Sequence, residues 1–371
     1  MSDGPAFRGG ATVYRLYDVG YAIALDHAAQ LLGDHTRGRI LPARTEARAI
    51  QIRNPPLFAA LGEHAVSIQE QSRPAVLSAH LFDFGVCSLQ LRCAAAGELS
   101  WMAFSDFGGA IDSSPETGPL FERELRSLLD RINPAIERPL IAPLSEEYIV
   151  FRIEQIIGGG NRPVAELLTD EQLVPLLVGE RRPLSSAARR ELLPHRFSYY
   201  DDDLAVLTWD NALVVEPRIE DRDIEYVLEF ANAQLLELRM YDLQLDAELH
   251  ALYERVAAAR ARRLPHLSGR LRRILSTLQS RVADLTETIE RVENALKVTN
   301  DVYLARIYAA ALELFREEAW QRGIERKLAI LRETYSMLHN EAQAARSELL
   351  EVAIALLIVA ELVIGLLRRG P

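Results

Sequence analysis

Lysine is nearly missing from this chain: Lys297 and Lys327 are the only two among 371 residues, so arginine carries almost all the positive charge. Acids outnumber bases, and the formal net charge is -11. A surface that reads phosphates needs a clustered basic excess, so nucleic-acid binding is not expected. Cysteine is equally scarce, with Cys87 and Cys93 alone. Six residues along an extended strand span roughly 20 Å, too far for a disulfide unless the chain folds back. Both are expected to be inert core thiols in a reducing compartment. There is no GxSxG elbow, HExxH pair or Cys/His nucleophile motif. Gly158-Gly159-Gly160 lacks both the trailing Lys-Ser/Thr and the spaced GxGxxG of a phosphate cradle, which leaves a loop. Met1 to Gly10 carry no apolar h-region, so no secretory leader is expected and the bulk is placed in the cytoplasm.

What is present belongs to an ordinary globular chain, 49% hydrophobic and 26% charged, long enough for two or three cores. The expected fold class is α+β: an α/β region with two hairpin-containing sub-units, then long antiparallel coiled-coil helices ending in a hydrophobic helix. The corresponding domains are residues 1–145, 146–222, 223–348 and 349–367. Ala11–Asp18 reads as a strand, Leu25–Leu32 as a short helix and Ala47–Arg53 as an alternating half-buried strand. Val76–Arg92 offers two β-rich runs around Asp83, Phe84 and Gly85, the pattern of a hairpin or bulge. Leu120–Ile132 is amphipathic, and Glu147–Ile156 is strand-like. A second hairpin is expected from Leu204–Trp209 and Ala212–Val215, which flank Asp210-Asn211.

After Pro217 the period changes. Asp223 is a credible N-cap, and helical spacing then runs to about Arg263. A second helix carries a three-and-four-spaced seam through Leu278 and Leu285. A last helical stretch opens at Val302, and from Ile324 its heptad is strict: Leu328, Leu331 and Leu338, then Leu349, Val352, Leu356, Val359, Val363 and Leu366. The register never slips into the apolar tail, so one continuous helix is expected. Leu349 to Leu367 holds thirteen large aliphatic residues and is about the length of a bilayer core. The expectation is a membrane anchor, with the alternative that apolar tails share a bundle core. Glu351 and Glu361 fall on the back of the seam, where lipid exposure is costly.

The polar residues offer few candidates for chemistry. His250 and Glu254 share a helix face, which is too few ligands for a zinc site. Asp201-Asp202-Asp203 lacks EF-hand spacing and reads as turn chemistry. Glu237, Arg239, Tyr241, Asp242 and Asp246 interrupt an otherwise apolar helix, and the expectation is a polar network between helices rather than a ligand site. No catalytic, cofactor or metal residue is assigned.

The segment Ala295–Tyr308, Trp320, Lys327-Leu328, Tyr335 and the tail from Leu350-Glu351 to Ala360-Glu361 together resemble the RMD (required for meiotic nuclear division) family, of unknown function. The resemblance covers the C-terminal 150 residues best. It implies a bacterial, membrane-anchored, oligomerising, non-enzymatic protein without cofactors. The expected function is therefore a scaffold or tether at the cytoplasmic membrane whose α/β region binds an unknown protein partner. Self-association through helices and contact with membrane lipid are expected as well. The alternative is a cytoplasmic homo-oligomer with a shared core of tails.

Overall fold

The computed structural model describes residues 4–33, 36–39, 51–52, 54–160, 162–218, 221–261, 296–297 and 302–367. The chain divides into two compact units, Met1–Met240 with Glu290–Glu318 and Tyr241–Ile289 with Ala319–Pro371. The fold is α+β, with a large mixed sheet in the first unit and helices towards the C-terminus.

The strands are β1 (Ala6–Asp18), β2 (Gly20–Ile23), β3 (Thr36–Arg39), β4 (Gln51–Ile52), β5 (Leu57–Ile68), β6 (Gln71–Leu81), β7 (Val86–Ala94) and β8 (Leu99–Ser100). They continue with β9 (Ile136–Pro139), β10 (Ser145–Ile157), β11 (His195–Phe197), β12 (Leu204–Leu207), β13 (Asn211–Val215) and β14 (Leu296–Lys297). The helices of the first unit begin with α1 (Leu25–Leu32), α2 (Trp101–Asp112), α3 (Thr117–Ile132), α4 (Val164–Leu167), α5 (Asp170–Leu177) and α6 (Ser186–Leu192). Three more follow: α7 (Asp223–Ala261), α8 (Val302–Leu314) and α9 (Glu317–Leu367).

One sheet runs in the order β11-β12-β13-β10-β1-β7-β6-β5-β3, with β8 also paired to β1. Residues 1–145 and 146–222 therefore contribute to the same sheet. β1 is flanked antiparallel by β10 and β7, and the single parallel pair along this order is β10 with β13. The β5–β6 hairpin closes between Ile68 and Gln71 with Gln69 and Glu70 both at positive φ. A two-residue turn of this kind matches the right-handed twist of the strands. Between β6 and β7 the turn needs Gly85: it sits at φ +98, and a Cβ there would lie 1.8 Å from the Gly20 carbonyl oxygen.

Strand alternation sorts the sheet into two unlike faces. On one, Val13, Leu77, Leu89, Phe151, Val206 and Leu213 form a continuous apolar core. Phe104 and Phe107 of α2, Phe121 and Leu125 of α3, and Leu173 of α5 close over it. Their helices start from local signals: the Ser100 hydroxyl accepts from the Ala103 amide, and Thr169 with Gln172 forms a capping box. The opposite face carries Thr12, Tyr14, Ser78, His80, Ser88, Gln90 and Arg152, all buried.

Helix α7 begins at Asp223, where the sequence placed its N-cap, and is buried almost all round over residues 223–241. Its buried surface is not purely apolar: Glu225, Glu229, Asn232, Gln234 and Glu237 are buried on it beside Leu228, Ala231 and Leu235. The stretch that opens at Val302 is two helices, broken at Phe315 and Arg316, with Arg316 at φ +54, while the continuity expected from Ile324 into the tail holds in α9, unbroken from Glu317 to Leu367. Of the expected coiled-coil seam, Leu328 and Leu331 are buried, while Leu278 and Leu285 lie outside the described residues. The described residues do not include Leu338 by its side chain.

The expected transmembrane segment requires correction. Among the described residues no helix is long and apolar enough to cross a membrane. Between Glu351 and Glu361 the uninterrupted apolar stretch is nine residues. At a rise of 1.5 Å per residue that is about 14 Å, against a hydrocarbon core of about 30 Å. With it goes the assignment of Leu349–Leu367 to lipid. Glu351, Val352, Leu356, Val359 and Glu361 are exposed on α9. Leu349, Val363 and Leu366 belong to the same helix, their side chains outside those described.

Candidate functional site

The polar face of the sheet meets acids on α7. Arg152 of β10 donates from Nη1 to both carboxylate oxygens of Glu225 at 3.0 Å. One turn on, Glu229 accepts from the Gln90 amide at 2.8 Å and lies 2.6 Å from Nδ1 of His80. Glu225 and Glu229 are i and i+4, so one stripe of the helix presents both. Ser88 is the cross-strand partner of His80, which brings serine, histidine and glutamate into one patch. All three are buried where α7 covers the sheet. Burial pushes the pKa of Tyr14 and Tyr226 well above the ordinary value, and Glu229 adds to it in both. The thiols on this sheet behave similarly: burial raises Cys87 to about 12 and Cys93 to about 11, and both are free.

Arg152 also reaches the chain beyond β13. It donates to the carbonyls of Arg218 at 2.8 Å and of Asp221 at 2.9 Å. Thus the guanidinium that holds Glu225 also fixes the segment leading into α7. That segment forms one wall of an open pocket of about 90 Å³. Tyr199, Tyr200 and Tyr303 line it, with Ile224 and Leu304 as the other apolar contribution. Asp203, Glu216, Asp221 and Asp223 supply carboxyl groups, and Arg218 is the one cationic side chain among its lining residues.

Within the pocket, Arg218 forms a two-pronged pair with Glu216, Nε to Oε1 and Nη2 to Oε2, each at 2.8 Å. Burial alone would raise Glu216, but the hydrogen bonds and charge of Arg218 outweigh it and hold the carboxyl below its ordinary value. Asp203 is different. Burial raises its pKa, and the amides of Tyr199 and Tyr200 offset this only in part. The guanidinium of Arg218 also lies over the Tyr200 ring, 5.6 Å from its centroid.

The residues singled out from sequence fall in several places. Arg239 pairs with Glu146, whose pKa is raised by burial in spite of that partner. Glu237 and Tyr241 are buried. In the second unit, Asp242 and Asp246 both engage Lys327, at 2.7 and 2.6 Å. Desolvation opposes the Lys327 charge, but these two acids prevail and raise its pKa. Of the aspartate run, only Asp203 reaches the pocket; its Oδ1 accepts from the Tyr199 amide at 2.7 Å. His250 and Glu254 lie 3.5 Å apart with both side chains largely exposed. Among the described residues no group of three His, Cys, Asp or Glu is arranged to hold a metal ion.

His80, Gln90, Arg152, Glu225 and Glu229 are not among the residues singled out from sequence. The polar alternation in Ser78-Ala79-His80 and Ser88-Leu89-Gln90 was a signal for a polar face. It carried no sign that a helix covers that face.

A mixed sheet roofed by an acid-bearing helix, with an aromatic and acidic pocket at the start of that helix, defines an α+β protein of a type set by its N-terminal domain. Residues 8–222 match the family model described as "Uncharacterized protein MJ0711, N-terminal domain", and the chain belongs to that family. The uncharacterized protein MJ0711 of Methanocaldococcus jannaschii is 24% identical over 194 residues, which is 52% of this chain and 58% of that protein. The chain therefore spans less than two thirds of that relative's length. No solved structure matches. The matched region holds the sheet and most of the pocket, and the expected RMD name and bacterial origin are not what these matches establish.

Proposed function

We propose that this chain is a self-associating scaffold rather than an enzyme, in which the exposed end of α9 packs against the same segment of a second copy and the α/β unit binds a partner. The observation that carries this reading is on α9. From Leu350 to Val359, seven large aliphatic side chains are each more than half exposed. Contiguous apolar surface of this kind marks an association site in a soluble chain. The heptad that places Val352, Leu356 and Val359 is the one whose earlier members Ile324, Leu328 and Leu331 are buried within the second unit. A seam already covered at one end offers a like seam the same three-and-four spacing at the other, which favours a second copy as the occupant. Glu351 and Glu361 then lie off the seam, in water. A kinship of the C-terminal helices to the RMD family belongs to this proposal and rests on the sequence resemblance.

Sedimentation of the full chain at high micromolar concentration tests it. The unaltered chain should run as a discrete oligomer, and the combined Leu356→Glu and Val359→Glu substitutions should yield monomer that still unfolds in a cooperative thermal transition. A monomer for the unaltered chain would sink the proposal.

A further inference from the structure

The pocket beside the start of α7 has a chemistry that the self-association reading does not use. We propose that it is a binding site for an organic cation with an alkylammonium head group, taken up between the tyrosine rings and the carboxyl groups.

Three observations carry this. The first is the arrangement of rings. Tyr199 and Tyr200 meet edge-on with centroids 4.7 Å apart, and Tyr199 and Tyr303 are tilted at 5.4 Å. Rings at these angles present π faces and edges to one shared space, and a π face attracts a cation. Tyr199 is 63% exposed and Tyr200 50%, so two adjacent large aromatics remain open at the rim. The second is Arg218, whose guanidinium lies 5.6 Å over Tyr200. A cation on that ring face is thus already part of the fold.

The third is the balance of charge. Four carboxyl groups against one guanidinium give the lining a formal charge of -3. The N-termini of α7 and α8 also open here, and each contributes a partial positive charge of about one half. Their sum is smaller than the acidic excess, so the pocket favours a cation. The kind of cation follows from geometry. The acids do not converge as metal ligands, and the aromatic walls cannot replace a metal's hydration shell. A diffuse, weakly hydrated ammonium suits such walls. At about 90 Å³ the space is well below the roughly 300–1,000 Å³ of whole-ligand pockets, so it takes a head group while the rest of the ligand stays outside.

Titration calorimetry of the full chain tests the assignment. The probes are choline, spermidine and N-acetyl-lysine methylamide, with 3,3-dimethylbutanol as the uncharged isostere of choline. At least one cation should bind in the millimolar range or tighter, and the isostere should not. Preference for choline or spermidine identifies a free small molecule as the source, and preference for the lysine amide identifies a lysine side chain. Tyr199→Leu and Tyr200→Leu should each weaken binding about threefold to tenfold. Both rings are exposed, so the thermal midpoint should not move. Asp203→Asn, read with its own thermal midpoint, should also weaken binding. The proposal is overturned if none of the three cations binds, if the isostere binds equally well, or if both tyrosine variants bind like the unaltered chain. None of these outcomes depends on whether the chain is monomeric or oligomeric.

Discussion

Arg152 ties the buried layer together, because one guanidinium donates to the Glu225 carboxylate and to the backbone carbonyls of Glu216, Arg218 and Asp221. Buried pairs add little net stability, but breaking one strands the surviving charge. Arg152→Met should therefore cost about 3 kcal/mol or more in urea unfolding, with Arg222, 3.1 Å from Glu225, giving partial relief. The double variant Arg152→Met with Glu225→Met should be closer to the unaltered chain than the single one. If the single substitution is neutral, the pair does not organise this layer. Asp18 offers a pH test of another kind. Burial raises its pKa to about 6, against the Gly20 amide that it accepts from. The folded state therefore holds the proton more tightly than the unfolded chain. Its stabilising share is complete below about pH 4 and is lost as pH rises through about 6. The distance of this value from that of a free aspartate corresponds to roughly 3 kcal/mol. Asp18→Asn keeps the acceptor for Gly20. It should be more stable than the unaltered chain above pH 6 and converge with it below pH 4, as read from thermal midpoints across that range. A constant difference at all pH values would reject this account.

The elements differ in how openly the sequence shows them. The helix expected at Leu25–Leu32 is α1 with the same bounds, and the hairpin expected around Asp83-Phe84-Gly85 joins β6 to β7. These succeed because their cues are local: amphipathic spacing in one, a glycine forced to positive φ in the other. β5 gave no clear cue, since Leu57–Ile68 includes a bulge at Ala60/Gly62 that breaks the alternation. The turn after it is also unmarked, as Gln69 and Glu70 are not the Asn-Gly pair that positive φ favours. Replacing them, Gln69→Asn with Glu70→Gly, should stabilise the protein by about 1 kcal/mol by relieving two left-handed residues. The measure is a rise in thermal midpoint with no change in denaturant slope; an unchanged midpoint would mean the hairpin tip carries no strain. On α9, heptad spacing alone left the tail's partner open. Spacing repeats the same geometry whether the neighbour is lipid, this chain or another copy.

At the scale of the whole molecule, two units of different character are joined through α7 and α9, which carry the chain from one to the other. The first holds the family domain, the buried ionic layer and the pocket. The second holds the Lys327 clamp and the exposed aliphatic end of α9. The proposed self-association belongs to the second unit and the proposed head-group binding to the first, so the Leu356→Glu and Val359→Glu pair and the tyrosine substitutions should act separately. An effect of the tail pair on cation binding would show that assembly and the pocket are coupled.

By itself the sequence determined the class of fold, the free buried cysteines, the start of α7 at Asp223 and the heptad along α9. Each follows from near-neighbour chemistry: alternation, helical period, capping and composition. Only the tertiary structure decided which polar residues are buried. Alternation states that Ser78, His80, Ser88 and Gln90 share a face, but burial depends on whether something distant lies across it. Glu229 is 149 residues from His80, and Glu225 is 73 from Arg152. The pocket likewise joins residues from Tyr199 to Leu304, a set that no local spacing could assemble.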